Sequence, residues 1–259
     1  MVDKRKRFRK ARSFANYYGK GHIEKLAHYD IVIVEPTAHT DQEIRLLQQT
    51  ETLVLAYVTI MELGSFHGMY PMLKEEDFLN INGEKYYKPM FDTYVLDLKS
   101  KRWRGLLHHH VGSLLMKSGY DGVFMDTIGD VEDPVIPLVE SKLQINQAVE
   151  ITRGLRQSFP NHVIVQNNGL ERLCEATGPY IDGLCWENPL FAHQESLEWC
   201  EAVMKRIVRL KEEYGVRSLF LHESNEVKQK PTAGIMAQAI ADKHEFLYYE
   251  APDFYLSLP

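Results

Sequence analysis

Short apolar runs recur along the chain with polar, helix-spaced segments between them. SFANYY (13–18), IVIVE (31–35), LVLAYV (53–58), GVFMD (122–126), HVIVQN (162–167), DGLCWE (182–187), RSLFLHE (217–223) and EFLYYE (245–250) each have the length and β-branched or aromatic content of one buried strand. Between them the period changes. Thr40-Asp41-Gln42-Glu43 fits a capping box, and Ile44, Leu46 and Leu47 supply the apolar face that follows. Residues 101–117 place Trp103, Leu106, Leu107, Val111, Leu114 and Leu115 on one stripe, and 139–159 and 196–214 carry similar stripes (Leu143, Leu155, Phe159; Leu197, Val203, Ile207, Leu210). Alternation of this kind, uninterrupted by a Pro/Gly/Ser-rich linker, predicts βα units around a parallel sheet. Eight strands is the number that closes a (β/α)8 TIM barrel in a single domain.

The spacing breaks once. Between the third and fourth strands lie GSFHGMYPM and YVLDLKSKRW, which predict an enlarged loop after strand 3 with a short extended piece from Tyr94 to Leu98. Large insertions at the carboxyl face of a barrel commonly build the substrate cleft. A doubly wound open sheet is the alternative architecture. No G-x-G-x-x-G follows the first strand, so a dinucleotide-binding sheet has little support.

Composition narrows the class. At 259 residues and 44% hydrophobic the chain can bury a sizeable core, and a net charge of -6 argues against general nucleic-acid binding. The basic opening MVDKRKRFRKAR is not followed by the apolar run of a signal peptide, so residues 1–12 read as a solvated lead-in to a barrel over 13–259. A cytoplasmic location follows if nothing precedes Met1, and an extracellular one if the chain is a trimmed mature form. No apolar run reaches the ~18 residues of a spanning helix. Cys174, Cys185 and Cys200 are odd in number and lack CxxC spacing, which fits buried thiols rather than a disulfide framework or a zinc site.

Candidate chemistry lies in a repeated phrase. In DGVFMD (121–126) and DGLCWE (182–187) an Asp-Gly pair opens an apolar run that ends on a carboxylate, Asp126 in one copy and Glu187 in the other. Asp121 and Asp182 belong to turns at the strand starts, far from the chemistry. The carboxyl-end positions of the eight strands gather Tyr17, Tyr18, Glu35, Glu62, Asp126, Asn167, Asn168, Glu187, Glu223 and Glu250 around one mouth. Crowded carboxylates raise one another's pKa, and an apolar wall such as Trp186 would raise that of Glu187 further. Splitting of this kind leaves one acid protonated to donate and the other ionised to attack, as glycoside hydrolysis requires. An uncompensated acidic mouth would also draw in a cationic substrate. The competing role for each strand-end acid is to N-cap the next helix.

Other residues point elsewhere. His108-His109-His110 are consecutive on a helix, about 100° apart, and cannot share one metal; a solvated face is expected. His222 reads as a core histidine. No G-x-S-x-G elbow is present, against an α/β-hydrolase.

With those residues in place the chain resembles glycoside hydrolase family 114, the endo-α-1,4-polygalactosaminidase family of (β/α)8 barrels. The matching pieces are ANYYGK, IVIVEP, LAYVTIMELG, YVLDLKSKRW, DGVFMDTIGD, VIVQNNG and DGLCWENP. The resemblance implies that Asp126 is the nucleophile and Glu187 the general acid/base, that Tyr57 and Glu62 line the site and that Asn168 lies nearby. It implies neither metal nor cofactor. Two positions depart from the family pattern: Glu35 stands where an Asp is usual, and Gly129 occupies the second position of an Asp-x-x-Asp, with Asp130 one residue later.

The leading expectation is therefore a retaining glycosidase that cleaves α-1,4-linked galactosamine-containing polysaccharide, with Tyr17, Tyr18, Glu35, Tyr57, Glu62, Asn168, Trp186 and Glu223 contacting substrate. A Mg²⁺-dependent barrel lyase or hydrolase, and a carbohydrate-binding pseudo-enzyme, are the alternatives. A polysaccharide or oligosaccharide is the expected partner; nucleic acid and a membrane span are not, and the sequence leaves the oligomeric state open.

Overall fold

A computed structural model describes residues 3–224 and 231–259. Among the described residues thirteen strands form in chain order: β1 (Phe14–Tyr17), β2 (Ile31–Val34), β3 (Leu53–Thr59), β4 (Glu62–Gly64), β5 (Asn80–Ile81), β6 (Glu84–Lys85), β7 (Tyr87–Lys88), β8 (Thr93–Val95), β9 (Gly122–Asp126), β10 (Val163–Asn167), β11 (Gly183–Glu187), β12 (Arg217–Glu223) and β13 (Leu247–Ala251). Eight of them make one parallel sheet in the order β1-β2-β3-β9-β10-β11-β12-β13. At its seam Phe14 packs on Tyr249 with ring centroids 5.6 Å apart, which brings the first and last strands together into a nearly closed barrel. All eight strands fall within a residue or two of their expected positions. Their apolar runs are buried on both faces, which is why they read as continuous rather than alternating hydrophobics.

The helices pack outside. They are α1 (Lys4–Lys10), α2 (Ile23–Leu26), α3 (Asp41–Gln49), α4 (Lys101–Ser113), α5 (Leu138–Ser158), α6 (Arg172–Thr177), α7 (Leu197–Tyr214) and α8 (Pro231–His244). The capping box of α3 forms as expected: the Thr40 hydroxyl accepts from Glu43 N–H and the Glu43 carboxylate accepts from Thr40 N–H. Trp103, Leu107 and Val111 bury the inner stripe of α4. His108 and His109 lie on its exposed side, whereas His110 is half-buried and faces His67, with ring centroids 6.4 Å apart. The short α6 escaped the sequence reading because six residues carry too little periodicity.

The basic segment is not the solvated lead-in that its charge suggested. It forms α1, capped by Asp3, and its Phe8 is fully buried beneath the amino ends of the strands. Asp121 and Asp182 fix it there. Asp121 pairs with Lys4 at 3.1 Å and accepts from Val54 N–H at 3.0 Å. Asp182 pairs with Arg5 at 2.6 Å, accepts from Ile164 N–H at 3.0 Å and also binds Arg156. The glycines that follow are steric necessities. A Cβ on Gly183 would sit 2.7 Å from the Phe8 ring, and one on Gly122 would sit 2.2 Å from the Val163 carbonyl oxygen. The repeated Asp-Gly phrase thus closes the barrel floor, far from the chemistry, as expected.

The enlarged loop after β3 holds β4, β7 and β8 as a three-stranded antiparallel sheet and β5 with β6 as a separate pair. The expected extended piece at Tyr94 to Leu98 is realised as β8 from Thr93. This arm stands at the carboxyl side of the barrel because β4 begins three residues after β3 ends.

Candidate active site

Parity along each strand decides what faces the barrel axis. Asp126, Asn167 and Glu187 are the final residues of β9, β10 and β11, and the structure brings them together with Tyr57 of β3. Asp126 Oδ2 accepts from the Tyr57 hydroxyl at 2.8 Å and its Oδ1 accepts from Asn167 Nδ2 at 2.7 Å. The same Asn167 Nδ2 donates to Glu187 Oε2 at 2.9 Å. One amide therefore bridges both carboxylates, and their facing oxygens can be no more than 5.6 Å apart. If the two N–H bonds of the amide diverge by about 120°, the separation is about 4.9 Å.

The remaining Glu187 oxygen, Oε1, accepts from the hydroxyl of Tyr255. Tyr18 completes the lining: its ring lies 4.9 Å from that of Tyr57 and 5.2 Å from that of Tyr255, and its hydroxyl accepts from Asn16 Nδ2 at 3.1 Å. Burial pushes the Glu187 carboxyl up from the ordinary glutamate range, and the neighbouring Asp126 charge adds to that. Tyr18, Tyr57 and Tyr255 are pushed up as well, by burial first and then by the same carboxylates, so all three hydroxyls keep their protons.

Local backbone geometry sets these side chains. Thr127, Asn168 and Asn188 each follow a mouth residue and each has a left-handed φ, at 58°, 54° and 48°. That turn aims their own side chains sideways. Asn168 Oδ1 accepts from Glu187 N–H at 3.1 Å, Asn188 Oδ1 from Glu223 N–H at 2.9 Å, and Thr127 Oγ1 from Met61 N–H at 2.9 Å. Asn168 thus holds the backbone of Glu187 and is not a direct lining contact. Gly129, the departure from the family pattern, is explained by close approach: a Cβ there would sit 2.6 Å from Gly169 N.

Several sequence candidates point away from the cleft or are engaged in other contacts. Tyr17 points away from the axis, packs on His22 and His39, and donates to the Lys20 carbonyl. Trp186 also points outward and is 2% exposed, wedged against Phe191, Trp199 and Phe220, so it is no wall to Glu187. Both have the wrong strand parity. Glu250 is likewise on the outer face, level with His222. Glu35 takes the N-cap role, accepting from Thr37 N–H at 3.0 Å and from its hydroxyl at 2.8 Å. Glu223 is buried at the end of β12 and accepts from Phe254 N–H at 3.2 Å.

Nor is the acidic mouth uncompensated. Lys88, on β7, lies 2.7 Å from Glu62, 2.8 Å from Asp130 and 3.5 Å from Asp133. Glu62 is therefore tied into the arm, where Thr93 Oγ1 also donates to it at 2.6 Å. Burial, with Glu62 as near neighbour, pushes Asp130 up to about 8, so this cluster carries less negative charge than its composition implies. Lys88 and Tyr255 were missed because nothing local in their sequence marks them. Among the described residues no group of three or more His, Cys, Asp or Glu is set to hold a metal ion, and no helix is long and apolar enough to cross a membrane.

A parallel (β/α)8 barrel with two bridged carboxylates at the carboxyl ends of its strands defines a barrel glycoside hydrolase. The chain belongs to glycoside-hydrolase family GH114, whose model matches residues 3–234. Solved structures agree on the fold. The glycoside hydrolase domain of PelA from Pseudomonas aeruginosa superposes with a TM-score of 0.76 at 16% identity, covering 96% of this chain and 97% of that one. Ega3 from Aspergillus fumigatus, in complex with galactosamine, gives 0.58 at 13% identity over 82% and 76%. The α-galactosidase TtGalA from Thermus thermophilus gives 0.62 at 13% identity over 96% and 60%. None of the curated proteins matches by sequence.

Proposed function

We propose that this hydrolase retains anomeric configuration and cleaves α-1,4-linked galactosamine-containing polysaccharide, with Asp126 as nucleophile and Glu187 as general acid/base. The observation that carries the mechanism is the Asn167 bridge. Facing oxygens within 5.6 Å suit the ~5–5.5 Å of a retaining pair and leave no room for the water that an inverting pair at ~6.5–9.5 Å must hold. The raised Glu187 carboxyl keeps its proton for the leaving glycosidic oxygen while Asp126, accepting from Tyr57 and Asn167, attacks the anomeric carbon. The C–O bond to the leaving sugar breaks as the Asp126–carbon bond forms. Glu187, now ionised, takes a proton from water, and the resulting hydroxide displaces Asp126. The substrate assignment is supported by the family and by the galactosamine complex of Ega3.

The test is incubation with partially deacetylated α-1,4-galactosamine polymer, with products read by mass spectrometry and the first-formed anomer by NMR. Wild type should give short oligosaccharides as the α-anomer, and Asp126→Asn should lose at least about 10³-fold in kcat. Initial release of the β-anomer would overturn retention, and undiminished turnover by Asp126→Asn would remove it as nucleophile. A wild type inert on this polymer but active on another glycan would overturn the substrate.

A further inference from the structure

Tyr255 lies 21 residues beyond the region matched by the family model, which ends at 234, yet its hydroxyl donates to Glu187. The backbone that delivers it is unusual. Asp253, Phe254 and Tyr255 all have left-handed φ, at 50°, 49° and 69°, and none is glycine. Single residues of this kind are strained and persist only where surrounding contacts over-determine them. Three in succession at a chain end, with Phe254 67% exposed, gain nothing from core packing of that phenyl ring.

What holds the turn is a set of contacts aimed at the mouth. The Tyr255 carbonyl accepts from Tyr18 N–H at 2.7 Å, Phe254 N–H donates to Glu223 at 3.2 Å, and the Ser257 hydroxyl closes on Asp253 at 2.7 Å. The result presents the Tyr255 ring to Tyr18 and its hydroxyl to Glu187 Oε1. Asn167 already occupies Oε2. With both oxygens engaged, the plane of the Glu187 carboxyl is fixed from two sides.

We propose that Tyr255, delivered by this strained carboxy-terminal strap, is a positioning residue for Glu187, fixing the orientation of its carboxyl and favouring its ionised form during the second half-reaction. The inference rests on the retaining reading above and deepens it. In that step Glu187 must be ionised to take a proton from water, and a hydroxyl donor stabilises the carboxylate more than the acid. Tyr255 thereby offsets part of the upward push from burial and Asp126. The other titratable groups around the pair are Asp126 on β9, Tyr57 on β3, Tyr18 after β1 and Cys185 on β11, while Glu223 on β12 meets the strap at Phe254 N–H.

The test is Tyr255→Phe in the full chain, which keeps the ring against Tyr18 and deletes only the donor. The expected result is a kcat lower by about 10–100-fold with KM within about threefold, and an alkaline limb of the kcat/KM profile higher by about one pH unit. Incorporation of 3-fluorotyrosine at 255, a stronger donor, should move that limb down. Direct ¹³C NMR titration of Glu187, assigned through Glu187→Gln, requires no turnover and should show the same upward shift in Tyr255→Phe. A Glu187 titration and alkaline limb unmoved in Tyr255→Phe would overturn the proposal. If wild type were inert on every galactosamine polymer, the substrate reading would fall, and the NMR titration would still decide the Tyr255 contact.

Discussion

Asn167 is the smallest unit on which the site depends, because one NH2 group sets the spacing of both carboxylates. Asn167→Asp would replace that donor with a third acid; Glu187 would then hold its proton more tightly, and the alkaline limb of the pH–rate profile should move up while kcat falls about 10²-fold. Asp130 gives a second residue-scale expectation, visible in stability. Its carboxyl is raised from 3.8 to about 8, by burial and then by Glu62, so between those values the folded chain holds a proton that the unfolded chain has released. Stability therefore falls as pH rises through that window. Chemical unfolding from pH 5 to 8.5 should show that slope in the wild type, and Asp130→Asn should flatten it. At this scale the sequence was a partial guide. The strand-end placement of Asp126 and Glu187 was legible because strand ends are; the outward direction of Tyr17 and Trp186 was not, because neighbours in sequence lie on opposite faces of a strand, and one position of parity separates Tyr17 from Tyr18 and Trp186 from Glu187.

At the scale of elements, the repeated Asp-Gly phrase joins floor and mouth. Each copy fastens α1 beneath the barrel through its Asp and, a strand length later, delivers a carboxylate to the cleft. Gly183→Ala should destabilise the fold by about 1–3 kcal/mol, since the added methyl meets the Phe8 ring at 2.7 Å. Pairing it with Phe8→Leu should recover part of that loss in denaturant titrations, because the clash is with a side chain. Gly122→Ala should not be rescuable by any neighbouring substitution, as its clash is with the Val163 carbonyl. The strands and long helices were readable from apolar runs and 3.6-residue stripes. Helix α1 was not, because only one of its residues, Phe8, is buried and the surrounding charges mask it.

At the scale of the whole molecule, α1 and the carboxy-terminal strap close the barrel from opposite ends. Deleting residues 1–12 should expose the apolar floor that Phe8 covers at Gly183 and Val165 and remove the Lys4 and Arg5 partners of Asp121 and Asp182, seen as increased binding of a hydrophobic dye and a Tm lower by several degrees. Trp186→Phe provides the contrast. It loosens the layer between β11 and α7, lowering stability by about 1–3 kcal/mol, but leaves kcat within about threefold because the ring never faces the cleft.

The sequence by itself determined the eight-strand alternation, the capping box, the insertion after β3 and the two acids at corresponding strand ends. Each is a local property, set by periodicity, turn chemistry or position within a strand. Only the tertiary structure decided that Asn167 spans both carboxylates, that Lys88 neutralises acids from two loops, that Phe8 plugs the floor and that Tyr255 reaches Glu187 from 68 residues away. Those contacts join segments far apart in the chain. Their geometry depends on how the barrel closes and on side-chain direction at its ends, which no local pattern of apolar and polar residues encodes.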